Sequence, residues 1–144
     1  MDVLCTDKTG TLTEGRMTLR AFVDPQECPS DEVLRLAWLN ATLETGIDNP
    51  LDEALVEAGQ ARHLETGSWS KVDELPYDFQ RRRLSVVVAP PGEGASHLLI
   101  TKGAVAQVVQ VCTRVSTTGA EVELDAVWRE RVQAFLQSQG EQGV

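Results

Sequence analysis

The sequence has few residues of the kinds that build metal sites, disulfide frameworks and membrane spans. Its 144 residues include three cysteines and two histidines. No two cysteines have the C-x-x-C spacing, which argues against a disulfide framework and a zinc site. The longest stretch without a charged residue, 103–113, has eleven residues. This is too short to cross a bilayer, so the sequence predicts no transmembrane helix.

Positive charge is also scarce. Lys and Arg number 13 against 22 Asp and Glu, which gives a formal net charge of −9. Non-specific binding to nucleic acid or to an anionic membrane needs an excess of basic residues, so the composition argues against both. A small anion could still bind at a local basic cluster. Hydrophobic residues make up 42% and charged residues 24% of the chain, which is typical of a globular protein.

Periodicity predicts a chain of mixed α and β structure. Helices are expected to start at Ser30 and at Asn49-Pro50, because these residue types favour N-caps and first helical turns. The second of these helices is predicted to bury Leu51. Further helices are expected over 103–112 and after Asp125, and strands over 17–23, 72–77, 84–88, 97–101 and 121–124. This pattern favours an α+β fold, with an antiparallel β-sheet flanked by helices.

The clearest chemical signal is the loop Asp7-Lys8-Thr9-Gly10-Thr11-Leu12-Thr13, which follows the short apolar run 3–5. A carboxylate at the end of a strand can act as a nucleophile and form an acyl phosphate. The neighbouring Lys8 can neutralise charge on a phosphoryl group, and Thr9 and Gly10 offer amides that suit phosphate oxygens. Taken without any comparison, residues of this kind are more often a capped polar loop with no chemical role.

This loop resembles the phosphorylation motif of the P-type ATPases. Four further segments resemble motifs of the same family and carry the resemblance along the whole chain. They are Pro50-Leu51-Asp52-Glu53-Ala54-Leu55, Pro76-Tyr77-Asp78, Arg81-Arg82-Arg83-Leu84-Ser85-Val86 and Lys102-Gly103-Ala104. The runs 44–52 and 75–88 are most similar to the magnesium-transporting branch of the family.

The resemblance implies roles for the residues of the loop. Asp7 would accept the γ-phosphate of ATP, and Lys8 would stabilise the transferring charge. Asp7 and the Thr9 carbonyl would bind the catalytic Mg²⁺. Dehalogenase-like phosphatases carry an aspartate acid/base at the position of Thr9, and its absence would let the acyl phosphate persist.

The resemblance also implies a nucleotide site. Tyr77 would stack on the adenine of ATP, with tyrosine in place of the usual phenylalanine. Arg82 would lie near the phosphates, Lys102 and Gly103 would form the floor of the pocket, and Asp52 would lie near the adenine amino group. From the residues alone, a triple arginine is more often a solvated face, and aromatics at strand spacing are more often core.

The implied organisation is a piece of a longer membrane protein. Residues 1–16 would be the first strand and phosphorylation loop of the P domain, and 17–144 a nearly complete nucleotide-binding (N) domain. Neither Thr-Gly-Asp nor Gly-Asp-Gly-x-x-Asn-Asp occurs in the sequence. The remaining P domain, the actuator domain and the membrane helices are therefore expected elsewhere in the same polypeptide. The 144 residues themselves are expected to be a cytoplasmic domain that is soluble, monomeric and inactive alone.

Two alternatives remain open at this point. The first is a dehalogenase-like phosphatase, which Thr9 disfavours. The second is a non-catalytic nucleotide-binding module, in which the Asp7 loop has no chemical role.

Overall fold

The computed structural model describes residues 17–46, 49–65, 67, 69–92, 94–117 and 120–141. Within these ranges the chain forms four helices and five strands. The helices are α1 (Asp31–Leu43), α2 (Pro50–Ala61), α3 (Val105–Val111) and α4 (Ala126–Glu141). The strands are β1 (Ser70–Asp78), β2 (Arg83–Ala89), β3 (Leu98–Gly103), β4 (Arg114–Thr117) and β5 (Ala120–Glu123).

The main sheet is antiparallel, with the strand order β1-β2-β3. Alternate residues of the central strand point to one face, and Val86 and Val88 are fully buried there. β4 and β5 form a separate antiparallel hairpin. The predicted α+β fold with an antiparallel sheet is confirmed, and the three predicted strands of the main sheet are present.

The predicted helix starts are confirmed by their hydrogen bonds. The Ser30 side chain accepts from the Val33 amide at 3.4 Å, and the Asn49 side chain accepts from the Leu51 amide at 2.9 Å. Asp125 does the same for the Trp128 amide at 2.9 Å. Each bond satisfies an amide that has no partner within its own helix, which is why these residue types begin helices.

The core lies where α1 packs on the sheet. Trp38 and Leu39 of α1 contact Val86, Val88 and Ile100 of β2 and β3 in one cluster. α2 packs against α1 at Gly59, where an added Cβ would lie 2.6 Å from Trp38 Nε1. The missing side chain at this position lets the two helices approach closely, and this contact holds α2 beside the sheet.

Two local predictions were wrong. Residues 17–22 are irregular, and Val23 makes only an isolated bridge to Pro29. Apolar alternation indicates which side chains could be buried, but a strand also needs a partner for its backbone hydrogen bonds. Leu51, predicted to be buried, is 61% exposed, because α2 turns it towards a cavity rather than the core.

Asn40 links α1 to the sheet through a buried hydrogen bond. Its side chain is fully buried, and Nδ2 donates to the Ile100 carbonyl at 2.8 Å. We expect Asn40→Ala to lower the free energy of unfolding by about 1–3 kcal/mol, since it leaves a buried carbonyl unpaired. Urea denaturation measures this loss. Gln60→Ala, which removes an exposed side-chain amide from α2, is the control. Equal midpoints for both variants would contradict the prediction.

Candidate functional site

A cavity of about 640 Å³ opens beside the main sheet. This volume falls within the range of small-molecule sites. Its walls come from the irregular segment 17–19, the first turns of α2, the end of β1, the start of β2 and the junction of β3 with α3. The lining residues are Met17, Thr18, Leu19, Asn49, Leu51, Asp52, Ala54, Leu55, Tyr77, Leu84, Lys102, Gly103 and Ala104. Most of these side chains are apolar, and four of the predicted nucleotide-site residues are among them: Asp52, Tyr77, Lys102 and Gly103.

Lys102 lies on β3 opposite Leu84 of β2, at the end of the sheet that borders the cavity. Its ammonium Nζ is 2.9 Å from Glu44 Oε2 and also forms an ion pair with Asp52. The side chains of Glu44 and Asp52 are only 8% and 11% exposed. Two acids therefore share one cation, and with both carboxylates ionised this group carries one net negative charge.

The pKa of Glu44 is raised above its ordinary value. Burial is the largest cause, because it disfavours the charged form, and a hydrogen bond with Asp52 acts in the same direction. The Lys102 ammonium opposes both effects without cancelling them. Glu44 therefore takes up a proton at a higher pH than an ordinary glutamate does.

The carboxylate of Asp52 is held on both sides. One oxygen meets Lys102, and the other accepts a hydrogen bond from Asn49 Nδ2. Asn49 also caps α2, since its Oδ1 accepts from the Asp52 amide at 3.1 Å. Asp52 thus lies in the first turn of a helix, where the helix dipole favours a negative charge. Its carboxylate is presented to the cavity with little freedom to rotate.

Tyr77 stands near the end of β1 at the cavity wall, with 49% of its surface exposed. Its ring meets that of Phe79 edge to face, with centroids 5.3 Å apart and planes at 86°. This is a favourable aromatic geometry that restricts how the Tyr77 ring can turn. Phe79 itself is 87% exposed.

Gly103 permits a close approach between β3 and the turn that joins β1 to β2. A Cβ at this position would lie 2.6 Å from Arg83 Cβ and 2.7 Å from Arg83 Cα, and would also overlap the Arg82 carbonyl. That carbonyl accepts a hydrogen bond from the Ala104 amide at 3.0 Å. Arg82 adopts a φ of +49°, a conformation that non-glycine residues seldom hold without such support.

The structure does not bring every predicted site residue to the cavity. Arg82 is exposed in the turn and is not among the lining residues. Asp7, Lys8 and Thr9, with the predicted strand before them, lie outside the described residues, so their predicted catalytic and Mg²⁺-binding roles stay predictions. Among the residues that are described, no group of three or more His, Cys, Asp or Glu is placed to hold a metal ion.

Sequence reasoning missed Glu44 and the segment 17–19. Glu44 belongs to a polar run after α1 that predicts a loop, and nothing local in the sequence indicates that its carboxylate is buried beside Lys102. A glutamate just after an amphipathic helix is only a weak indication of a buried acid in a functional site. The segment 17–19 was predicted to pair in a sheet, whereas it lines the cavity.

Comparison with known proteins connects this geometry to a family. A family model described as "P-type ATPase, cytoplasmic domain N" matches residues 39–144. "Magnesium-transporting ATPase, P-type 1" of Salmonella typhimurium is 44% identical over 147 aligned positions, which cover 100% of this chain and 16% of that protein. The protein of the same description from Escherichia coli K12 is 42% identical, with the same coverage. "Calcium-transporting ATPase 1" of Bacillus cereus is 28% identical over 81% of this chain and 15% of its own length.

The chain thus spans about a sixth of the length of these magnesium-transporting relatives. In the described ranges, no helix is both long and apolar enough to cross a membrane.

Proposed function

Since the chain belongs to the P-type ATPase family, whose cytoplasmic domain N it matches over residues 39–144, we propose that it binds ATP in the 640 Å³ cavity. One observation carries this proposal. Asp52, Tyr77, Lys102 and Gly103, which lie far apart in the sequence, line the same cavity. The sequence resemblance alone, which contains no coordinates, assigns these same four residues to a nucleotide.

The chemistry of the cavity suits an adenine base. Leu51 and Leu84 provide apolar walls, and Tyr77 provides an aromatic face for stacking. Asp52 can accept a hydrogen bond from an amino group, and Lys102 can donate to a ring nitrogen. The fit is therefore good for a flat, polar-edged ring. The phosphates would extend out of the cavity towards exposed cationic side chains such as Arg82, where solvent weakens each ion pair.

For the longer protein, we infer a P-type ATPase that transports a cation, with Mg²⁺ as the ion that the relatives' names suggest. In that protein the N domain, residues 17–144, would present ATP to Asp7, which belongs to the first strand and phosphorylation loop of the P domain, residues 1–16. The remaining P domain, the actuator domain and the membrane helices would complete the cycle. Magnesium bound at Asp7 and Thr9 would neutralise the charge of the transferring phosphoryl group. A dehalogenase-like phosphatase is disfavoured by Thr9 and by the family match.

Titration with nucleotide tests the proposed site. We expect ATP and ADP to bind with similar Kd values, on the order of 0.1–1 mM, because a half-open site gains mainly from stacking and little from exposed cations. Tyr77→Ala should weaken binding by about 1–3 kcal/mol, since it removes the stacking face. NMR titration of the 144-residue chain reports both the affinity and the residues that shift.

Two matched variants serve as controls for this experiment. Tyr77→Phe keeps the aromatic face and should bind within about twofold of the parent chain. His97→Ala changes an exposed side chain before β3 and should change nothing. Chemical shift changes confined to residues remote from Tyr77 and Lys102, or equal affinity in Tyr77→Ala, would remove the assignment.

A further inference from the structure

Glu44 is a buried acid for which neither the resemblance nor the family comparison provides a role. It lies at the C-terminal end of α1, where its backbone amide donates to the Asn40 carbonyl at 3.0 Å. Its side chain is 8% exposed, and Oε2 lies 2.9 Å from the Lys102 ammonium. The backbone contact needs no particular side chain, so the burial of this carboxylate requires a separate explanation.

An explanation by charge balance alone is insufficient. One carboxylate is enough to neutralise the Lys102 ammonium, and Asp52 already supplies it. Burying a second acid beside the same cation leaves a net negative charge and costs desolvation energy. What the second acid adds is geometry, because an ammonium on a flexible four-carbon chain is poorly fixed by one partner.

We propose that Glu44 is a positioning residue for the nucleotide site: with Asp52 it holds the Lys102 ammonium between two carboxylates at the cavity wall. An ammonium has three N–H donors. Asp52 accepts one of them in a hydrogen bond, and the ion pair with Glu44 fixes where the ammonium lies, so a donor remains for an acceptor atom on the base. This inference rests on the proposed function, since it takes an adenine nucleotide as the ligand. Glu44 acts through Lys102 and need not touch the nucleotide.

Among the described residues, the elements that pack here carry few other charges. α2 contributes Asp52, and also Glu53, which borders a small cavity beside Glu44 but is itself exposed. β3 contributes Lys102. β1 contributes Lys71 and Glu74, which pair with each other and contact Thr45 rather than Glu44. Lys102 is therefore the cation that responds first when Glu44 gains a proton or is replaced.

The test measures ADP affinity of the 144-residue chain and its Glu44→Gln variant from pH 8 down to the lowest pH at which both proteins stay folded. At the upper end, the variant should bind roughly three- to tenfold more weakly, as expected when a partly buried ion pair that positions a ligand-binding group is lost. As the pH falls through the raised pKa of Glu44, the parent protein loses the same charge, so the two affinities should converge. Protonation of ADP affects both proteins equally and cancels in the ratio. Glu53→Gln, which removes an exposed acid from the next position after Asp52, should follow the parent protein throughout.

A second readout follows Lys102 without any ligand. The NMR signals of its terminal CH₂ and ammonium should shift as Glu44 titrates, and Glu44→Gln should abolish that step. A Lys102 signal that shows no such step in the parent chain would overturn the inference, even if the variant did not fold. Equal affinity and an equal pH profile for Glu44→Gln would also overturn it. If the parent chain binds no ADP, the nucleotide site and the role of Glu44 in it are both rejected, while the Lys102 signal still shows whether Glu44 holds that ammonium.

Discussion

Gly103→Ala is expected to disrupt the cavity end of the sheet and to weaken the proposed nucleotide site. In an ordinary strand this exchange is favourable by about 0.5–1 kcal/mol, because glycine loses more conformational freedom on folding. Here the added Cβ would lie 2.6 Å from Arg83 Cβ and would overlap the Arg82 carbonyl. Cross-strand Cβ atoms normally lie about 4.5–5.5 Å apart. The strands must therefore separate, and the obstacle is backbone that no rotamer change can remove.

We expect the free energy of unfolding to fall by about 3 kcal/mol or more, at the upper end of overpacking costs. The Ala104 amide loses its bond to Arg82 as the turn shifts, and Tyr77 and Lys102 move apart. ADP affinity of the folded fraction should therefore drop by about tenfold or more, because the stacking face and a polar hydrogen-bonding group are displaced together. Urea denaturation measures the first effect, and titration below the unfolding transition measures the second.

Gly140→Ala is the matched control, because it makes the same chemical change in α4 with nothing within 4 Å of the new Cβ. It should leave the stability unchanged or raise it by up to about 1 kcal/mol, since alanine favours helix. A Gly103→Ala protein as stable as the parent would show that the strands tolerate a side chain at this position. The close packing of β3 on the turn would then not be required.

Local rules were sufficient to predict most of the fold. Ser30, Asn49 and Asp125 begin helices because each satisfies amides within three residues of itself, so the signal is contained in the sequence window. In the strands of the main sheet, apolar residues alternate with polar ones or form continuous runs, because side chains such as Val86 and Val88 are buried in the core. Helix caps and apolar periodicity can both be recognised from residues that are close together in the sequence.

The predictions that were wrong or missing depend on distant partners. Leu51 has helical spacing, but periodicity cannot distinguish the core from a cavity wall. The segment 17–23 alternates like a strand, yet pairing depends on whether another strand presents a free edge. Glu44 and Lys102 lie far apart in the sequence, and only the packing of α1 on β3 brings them together. Motif resemblance named four residues that line one cavity, Asp52, Tyr77, Lys102 and Gly103, because it includes tertiary information that periodicity lacks.

The largest expected effect concerns Asp7. If the longer protein is a P-type ATPase, the Asp7 carboxylate attacks the γ-phosphorus of ATP, the bond from that phosphorus to the bridging oxygen breaks, and ADP leaves. The product is an acyl phosphate on Asp7. Little of the catalysis comes from the nucleophile's own reactivity, because phosphoryl transfer depends mainly on positioning and on charge neutralisation by Mg²⁺. In the 144-residue chain, the Thr-Gly-Asp and Gly-Asp-Gly-x-x-Asn-Asp segments that would complete that site do not occur, so we expect no stable label from radioactive ATP in this chain alone.

In a full-length P-type ATPase that carries these 144 residues, γ-labelled ATP and Mg²⁺ should give a phosphoprotein that is stable in acid and lost at alkaline pH. Asp7→Asn should reduce the label by roughly three orders of magnitude or more, because an amide is a very poor nucleophile and removing a nucleophile costs at least this much in other enzymes. Asp31→Asn, which changes an exposed aspartate of α1 paired only at the surface with Arg62, should leave the label intact. Normal labelling of the Asp7→Asn protein would place the nucleophile elsewhere. Loss of label in both variants would instead indicate that assembly had failed, and a nucleotide titration of the Asp7→Asn protein separates the two cases, because its N-domain cavity should still bind ADP as the parent does.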